Sequence, residues 1–523
     1  MSPVGRLAGI ISGSAKLSRD TSLLNFVGAR MFTAAGTQSV STSIERVFRI
    51  YLGYTEIPAY DFVLGLPGHY NVTTGAYPTE IAAAFDILVR GVSIGYGVTQ
   101  DPTAATWVRG NVSAGSQSAT ISAGTNTVGL VTDTNIAQGS AIPAGRHVWA
   151  MGAINVASGG TVPKVCYFGP GSIEGATSST STSQVPLLTN GAAITVGANG
   201  AGDYGPVFVA CRGFTARPAA LCIGDSIGAA ANETQFSQDT GVKGFFSRGL
   251  LAAGWHLHNA CVAGSAPHMW LDNGRTAVAN KLDLIKLVTT LNSGAAPFQA
   301  VISEHGTNSA SEAGGSSGAH AVTAWNTNSA FVANMKAYLA LAAAEWPGVP
   351  IYQTTILPKV TTTDGNTTLA NQTPISGFGS GGWIDNFNSK LLADNLDGTI
   401  AGGISLAAVY GDVSDKHKIP VPAWSSTLAA AYTSGDANIT LTDAPTTKMY
   451  LWSAGMPASG AVPVQSVSGT GPYTVKLATT IGVSLSSGAA IYSPESPEGT
   501  HPTAVPHSGR LATAVRDWAL TKG

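Results

Sequence analysis

The run Ala220-Leu221-Cys222-Ile223-Gly224-Asp225-Ser226-Ile227-Gly228 joins a short apolar strand to a tight turn that holds a serine hydroxyl at the strand end. This is how a nucleophile is displayed. Gly224 lets the chain turn without a Cβ clash, and a helix beginning after Ser226 would aim free N–H groups and a positive dipole end at an oxyanion formed there. Gly-Asp-Ser alone is common in surface turns, so its meaning depends on the rest of the chain. Two later segments repeat the pattern of an apolar run followed at once by small polar residues: His258-Asn259-Ala260-Cys261-Val262-Ala263-Gly264-Ser265 and Ala300-Val301-Ile302-Ser303-Glu304-His305-Gly306-Thr307-Asn308. In a parallel sheet the residues just after each strand gather along one edge, which would make Ser226, Gly264 and Asn308 neighbours. Near the C-terminus, Glu498-Gly499-Thr500-His501-Pro502 places a carboxylate three residues before a histidine, ahead of a final helical stretch.

In order along the chain, Gly224-Asp225-Ser226, Gly264, Gly306-Thr307-Asn308 and the Glu498/His501 block resemble the SGNH (GDSL-type) hydrolase family. The resemblance implies Ser226 as nucleophile and His501 as general base, with the Ser226 amide, the Gly264 amide and the Asn308 side chain as oxyanion donors. The family usually carries Asp three residues before the histidine. Here Glu498 stands in that place, and its extra methylene must be accommodated for the carboxylate to reach the imidazole.

The chemistry of these residue types agrees with those roles. A serine hydroxyl is a weak nucleophile until a base takes its proton, and histidine is the side chain whose ordinary pKa suits that task near neutrality. A carboxylate orients the ring and stabilises the imidazolium. Asp412 and Asp415 are alternative orienting acids, but the three-residue spacing of Glu498 permits a local turn onto His501.

Pattern and composition define the elements that must position these groups. With 523 residues and roughly 150 residues per domain, two to four domains are expected. Residues 1–40 read as an N-terminal arm. Residues 41–215 alternate short β-prone runs with Gly, Pro, Asn and Ser clusters, the pattern of a β-sandwich accessory domain. Within it, residues 130–133 and 142–150 read as two strands joined by a turn. Tyr54, Tyr60, Trp107 and Trp149 are candidates for a sugar-stacking platform, with core packing as the commoner use of such aromatics. From residue 218 strands alternate with helices, which predicts an α/β, three-layer doubly wound parallel sheet over 218–420, completed by 493–523. Helices are expected at 242–253, 275–291, 319–346 and 383–392, and strands at 350–358 and 404–410. Residues 421–492 return to β and turn signals and read as a small inserted β module beside the active-site edge.

Lys plus Arg is 27, Asp plus Glu is 29, and charged residues make up only 11% of the chain. That leaves no basic field for nucleic acid or an anionic membrane. Neither a secretory leader nor a run long enough to span a membrane is visible. The Ser, Thr, Asn and Gly richness suits a strand-rich protein acting outside the cell, including a phage virion protein; as a virion spike it would be a trimer. Cys166, Cys211, Cys222 and Cys261 form neither a disulfide framework nor a zinc pattern. His256 and His258 share a strand face without a third ligand, so ordinary strand histidines are the expectation. His305 is expected in the core, and His507 at the start of the last helix.

The expected activity is that of a serine esterase removing O-acetyl groups from carbohydrate through an acyl-enzyme, with no metal or organic cofactor. The expected substrate is an acylated carbohydrate or another small ester. A glycan-binding or virion protein on a hydrolase scaffold, and a lipase or thioesterase, are the alternatives.

Overall fold

A computed structural model describes residues 16–523 except 32–36, 73–77, 113–115, 124–128, 134–140, 165–167, 169–173, 181–182, 192–193, 195–203, 232, 234–242, 274–278, 312–324, 448, 458–459 and 497. Cys166 lies outside the described residues.

A six-stranded, all-parallel sheet carries the Ser226 segment. Its strands are β1 (Ala29–Met31), β2 (Ala219–Ile223), β3 (His256–Asn259), β4 (Ala300–Ser303), β5 (Ile351–Thr354) and β6 (Gly402–Ile404), in the spatial order β1-β3-β2-β4-β5-β6. The near-continuous apolar runs of β2 and β4 follow from burial on both faces. Ala219, Leu221 and Ile223 of β2 pack on one side with helices α2 (Ala279–Leu291), α3 (Asn328–Ala344) and α4 (Trp383–Gly398). Ala220 and Cys222 pack on the other side with α1 (Gly244–Ala252) and α5 (Arg510–Lys522). The period-2 alternation of the strand thus divides one short run between two cores. A buried Leu, Ile or Phe in either contributes about 1.5–3 kcal/mol over exposure.

Helix limits follow local chemistry. Gly254, at φ +80°, closes the turn after α1, as an αL residue past a helix end does. Thr327 caps α3 by accepting a hydrogen bond from the Ala330 amide at 3.2 Å.

Four expectations change. Residues 16–31 are not a free arm: Asn25–Phe26 pairs with Phe208–Gly213, β1 joins the parallel sheet beside β3, and Leu24, Phe26 and Val27 are buried. These strands are two and three residues long, too short to leave a periodic signal in sequence. Residues 404–410 are not one strand: β6 ends at Ile404 and Ala407–Tyr410 is a helical turn. The Thr355 hydroxyl accepts the Leu406 and Ala407 amides at 2.8 and 2.7 Å, which turns the chain off the sheet. Gly129–Asp133 and His147–Val156 are strands of two different sheets rather than partners. No α-helix starts directly after Ser226: residues 226–231 form turns, with Ala230 at φ +55°.

In the N-terminal part, a four-stranded antiparallel sheet and a six-stranded antiparallel sheet share a core. The smaller sheet is buried on both faces. Phe62, Leu64 and Leu66 face the larger sheet, whereas Val63, Phe208 and Ala210 belong to the core of the parallel sheet and its helices. Packing is therefore continuous across the expected boundary at 215–218. In the 421–492 region, Asn438–Leu441, Tyr473–Leu477, Val462–Ser468 and Tyr450–Leu451 form a small antiparallel sheet with its own apolar cluster. Ser425–Thr427 and Ala490–Tyr492 pair at its base.

Candidate active site

The carboxyl ends of β2, β3 and β4 lie side by side, and the segments that follow them carry Ser226, Gly264 and Asn308. Ser226 Oγ is 2.7 Å from His501 Nε2. Glu498 Oε1 accepts a hydrogen bond from the His501 backbone amide at 2.8 Å and makes a short contact with His501 Nδ1. The extra methylene of Glu498 is absorbed by this local turn, in which one carboxylate oxygen serves both the backbone and the ring. Asp412 instead accepts from Ser414, and Asp415 lies 3.3 Å from His417 Nδ1, so neither pairs with His501.

Gly499 makes the turn possible. It sits at φ +82°, and a Cβ there would meet the Val360 carbonyl oxygen at 2.1 Å. Its own carbonyl accepts the Val360 amide at 3.0 Å, tying the Glu498–His501 segment to the chain beyond β5. The histidine and glutamate side chains are about one quarter exposed, at 26% and 30%, so substrate can reach them.

The three candidate oxyanion donors come from three segments. Among the described residues the Ser226 and Gly264 N–H groups have no protein acceptor. Gly264, at φ +81°, occupies a tight turn closed by the Ser265 amide on the Val262 carbonyl at 3.0 Å. Asn308 Nδ2 donates to the Ser265 carbonyl at 2.9 Å, which fixes the amide plane and leaves a second N–H for a ligand. Because residues 226–231 form turns, no helix dipole begins directly after Ser226.

Beneath the donors lies a buried polar network. His305 Nε2 is 2.9 Å from Ser265 Oγ, and His305 Nδ1 is 2.6 Å from Tyr338 Oη, which also reaches Ser303 Oγ at 3.1 Å. Gln353 Nε2 donates to the His305 carbonyl at 2.9 Å. Burial pushes the His305 imidazole down to about 3, so the ring is neutral. The ring thus sits in the core, bracing the Gly264–Asn308 segments from below.

Glu304 and Asp225 are buried at the Asp225–Gly228 turn, and neither stood out in sequence as a site residue. The signal available was an acidic residue, Glu304, directly after the short, mostly apolar strand Ala300–Ser303, a position that needs hydrogen-bond partners. Burial pushes both carboxyls upward, and the neighbouring Asp225 raises Glu304 further.

The remaining candidates sit elsewhere. His256 Nδ1 accepts the Gly28 amide at 2.8 Å, and His258 is buried beside Phe26 and Phe208. Among the described residues no group of three His, Cys, Asp or Glu side chains is arranged to hold a metal. His507 is stacked on Phe245, with centroids 5.5 Å apart. Trp149 is fully buried and Trp107 half-buried, whereas Tyr54 and Tyr60 are exposed. Trp149 is therefore a core residue with no face for a sugar. Cys211, Cys222 and Cys261 are buried thiols.

No protein-family model matches the chain, and no curated protein is detectably similar to it. Among solved structures, a family two carbohydrate esterase from Cellvibrio japonicus is similar at 12% identity over 78% of this chain and 92% of that one, with a TM-score of 0.24. A carbohydrate esterase family 2 enzyme with a carbohydrate-binding domain from Corynascus thermopiles (Myceliophthora fergusii) is similar at 11% identity over 73% and 89%, with a TM-score of 0.27. A salicylyl-acyltransferase from a tetracycline biosynthetic pathway is similar at 11% identity over 71% of each chain, with a TM-score of 0.22. Scores this low carry no argument about activity, which has to come from the side chains.

Proposed function

We propose that this chain is a serine esterase of SGNH type that removes short acyl groups, O-acetyl above all, from carbohydrate. The observation that carries the reading is the linear Ser226–His501–Glu498 arrangement, with Ser226 Oγ 2.7 Å from His501 Nε2 and Glu498 on the far ring nitrogen. His501 Nε2 takes the Ser226 proton as Oγ attacks the ester carbonyl carbon. Charge develops on the carbonyl oxygen, where the Ser226 and Gly264 amides and the Asn308 side chain donate to it. The tetrahedral intermediate collapses, the C–O bond to the alcohol breaks, and the imidazolium returns its proton to the leaving hydroxyl. Water, deprotonated by the same imidazole, then attacks the acyl-enzyme; the acyl bond to Ser226 Oγ breaks, the imidazolium returns its proton to Oγ, and the acid is released. Glu498 holds the ring in the required tautomer and stabilises the imidazolium.

The carbohydrate part rests on different grounds. The half-open triad admits a substrate that is large beyond its ester, and a surface built from Ser, Thr, Asn and Gly suits a polyhydroxylated one. The two-sheet N-terminal part offers exposed Tyr54 and Tyr60 for contact with a polymer.

The test is hydrolysis of a short-chain chromogenic acetate, and acetate release from acetylated polysaccharides, by the wild type beside Ser226→Ala. Activity confined to the wild type is the expected result. Activity retained by Ser226→Ala would refute the nucleophile assignment, and a preference for acyl chains of eight or more carbons would point to a lipase instead.

A further inference from the structure

We propose that Glu304 is a positioning residue for the esterase: its buried carboxyl clamps the nucleophile turn so that, from Asp225 to Gly228, only the Ser226 N–H is left free for the oxyanion. This rests on the esterase reading of Ser226.

The backbone hydrogen bonds of the turn carry the argument. Glu304 Oε2 accepts the Asp225 amide at 3.1 Å and the Gly228 amide at 3.0 Å. Asp225 Oδ1 accepts the Ile227 amide at 2.9 Å. Three of the four amides in this run are thus consumed by two buried carboxyl groups, and the remaining one belongs to the nucleophile. The next three are satisfied within the turn: Ala229 on the Asp225 carbonyl, Ala230 on Ile227 and Ala231 on Ser226, at 3.0, 3.0 and 2.8 Å. A short helix would hold its first amides open by default. Here, without a helix, two side chains perform that selection.

The glycines of the turn fit the same clamp. A Cβ on Gly224 would meet Glu304 Oε2 at 2.8 Å and Cys261 Sγ at 2.9 Å, and one on Gly228 would meet the same atoms at 3.0 and 2.6 Å. The Gly224-Asp-Ser-Ile-Gly228 loop is wrapped on the carboxyl too closely for any side chain at either end.

The chemical form of the clamp follows from its surroundings. Glu304 makes no ion pair among the described residues and is buried beside Asp225. An ionised carboxylate in such a site is costly without a cation, so the group is held as the neutral acid. Its Oε2, as the carbonyl oxygen, takes the two amides. A glutamine presents the same carbonyl oxygen to both amides.

The test compares Glu304→Gln and Glu304→Leu with the wild type in three measurements: kcat and KM on a short-chain acetate ester, thermal melting, and amide exchange of the 224–229 segment. The expected result is kcat within about threefold of wild type for Glu304→Gln. For Glu304→Leu kcat should fall by a factor on the order of 100 with KM changed less than about threefold, as for a transition-state donor displaced from its position. Exchange at Asp225 and Gly228 should quicken in Glu304→Leu alone. Wild-type kcat in a folded Glu304→Leu would overturn the clamp while leaving the esterase reading intact. If Glu304→Leu does not fold, Glu304→Gln decides: retained kcat supports the clamp, and its loss in a folded protein overturns it. A wild type inactive on every ester would remove the esterase reading, and with it the clamp's assigned purpose, although exchange would still report whether the carboxyl holds the turn.

Discussion

Glu498 holds His501 twice, through the backbone amide at 2.8 Å and through Nδ1 of the ring, with a single carboxylate oxygen. The acid therefore sets both the path of the chain at His501 and the tautomer of its imidazole. Removing it should leave the base mis-oriented and its protonated form unsupported. Glu498→Ala is expected to lower kcat by a factor on the order of 10³ or more with a smaller change in KM. Asp412→Asn and Asp415→Asn should stay within about twofold, a margin typical of groups outside the reacting centre. Steady-state kinetics on one acetate ester checks all three. A wild-type kcat in Glu498→Ala together with a collapse in Asp412→Asn or Asp415→Asn would reassign the acid.

Asn308 donates one N–H to the Ser265 carbonyl at 2.9 Å and has the other to spare. Asn308→Ala should lower kcat by a factor on the order of 10²–10³, the usual cost of one oxyanion donor, while KM moves little. Asn308→Asp supplies a full charge where negative charge must develop, and it should be at least as impaired. If either variant loses binding while keeping kcat, Asn308 contacts the substrate in its ground state rather than the oxyanion.

Gly499 separates two effects that a glycine-to-alanine change usually mixes. At Gly499 a Cβ would meet the Val360 carbonyl oxygen at 2.1 Å, whereas at Gly348, with nearly the same φ of +84°, it would meet nothing within 4 Å. Gly348→Ala should cost only the left-handed backbone penalty, on the order of 1 kcal/mol. Gly499→Ala should cost more in a melting or urea experiment, because the segment must move off Val360, and it should also reduce kcat by displacing Glu498 and His501. Equal stability losses with unchanged kcat would show that this segment yields freely.

The parts of this architecture visible in sequence share one property: they depend on patterns contained within a few neighbouring residues. Apolar strands ending in Gly-Asp-Ser, Val-Ala-Gly-Ser and Gly-Thr-Asn announced a sheet edge, and the spacing of Glu498 and His501 announced a local turn. What escaped depends on partners far along the chain. β1 is a three-residue strand whose partner, β3, lies over 200 residues away, so propensity had nothing to act on. The helical turn after Ile404 follows from one threonine hydroxyl, that of Thr355 just beyond β5. Glu304 looked incidental because its two amide donors lie almost 80 residues earlier. Trp149 looked like a candidate for sugar contact because an aromatic strand reads the same whether its neighbours cover it or not.

His507 gives a prediction in which the sign can be worked out from one group. Burial, aided by the positive charge of Arg248 and Lys243 and by His501, holds its imidazole down to about 3. Both ring nitrogens are buried without a hydrogen-bond partner among the described residues, and the ring is stacked on Phe245 at an interplanar angle of 10°. In the unfolded chain this histidine titrates near 6.5. Between those two values the unfolded state binds one proton that the folded state refuses. The contribution is therefore intact above about pH 6.5 and is lost as pH falls, approaching about 1.4 kcal/mol per pH unit and amounting to about 2 kcal/mol between pH 7.5 and pH 5. His507→Phe keeps a flat ring against Phe245 and removes both the titration and the unpaired nitrogens. Its urea-unfolding free energy, compared with that of the wild type, should improve by about 2 kcal/mol on going from pH 7.5 to pH 5. Parallel stability curves for the two proteins over that range would mean that His507 takes up its proton in the folded state, and that the packing around Phe245 opens to admit it.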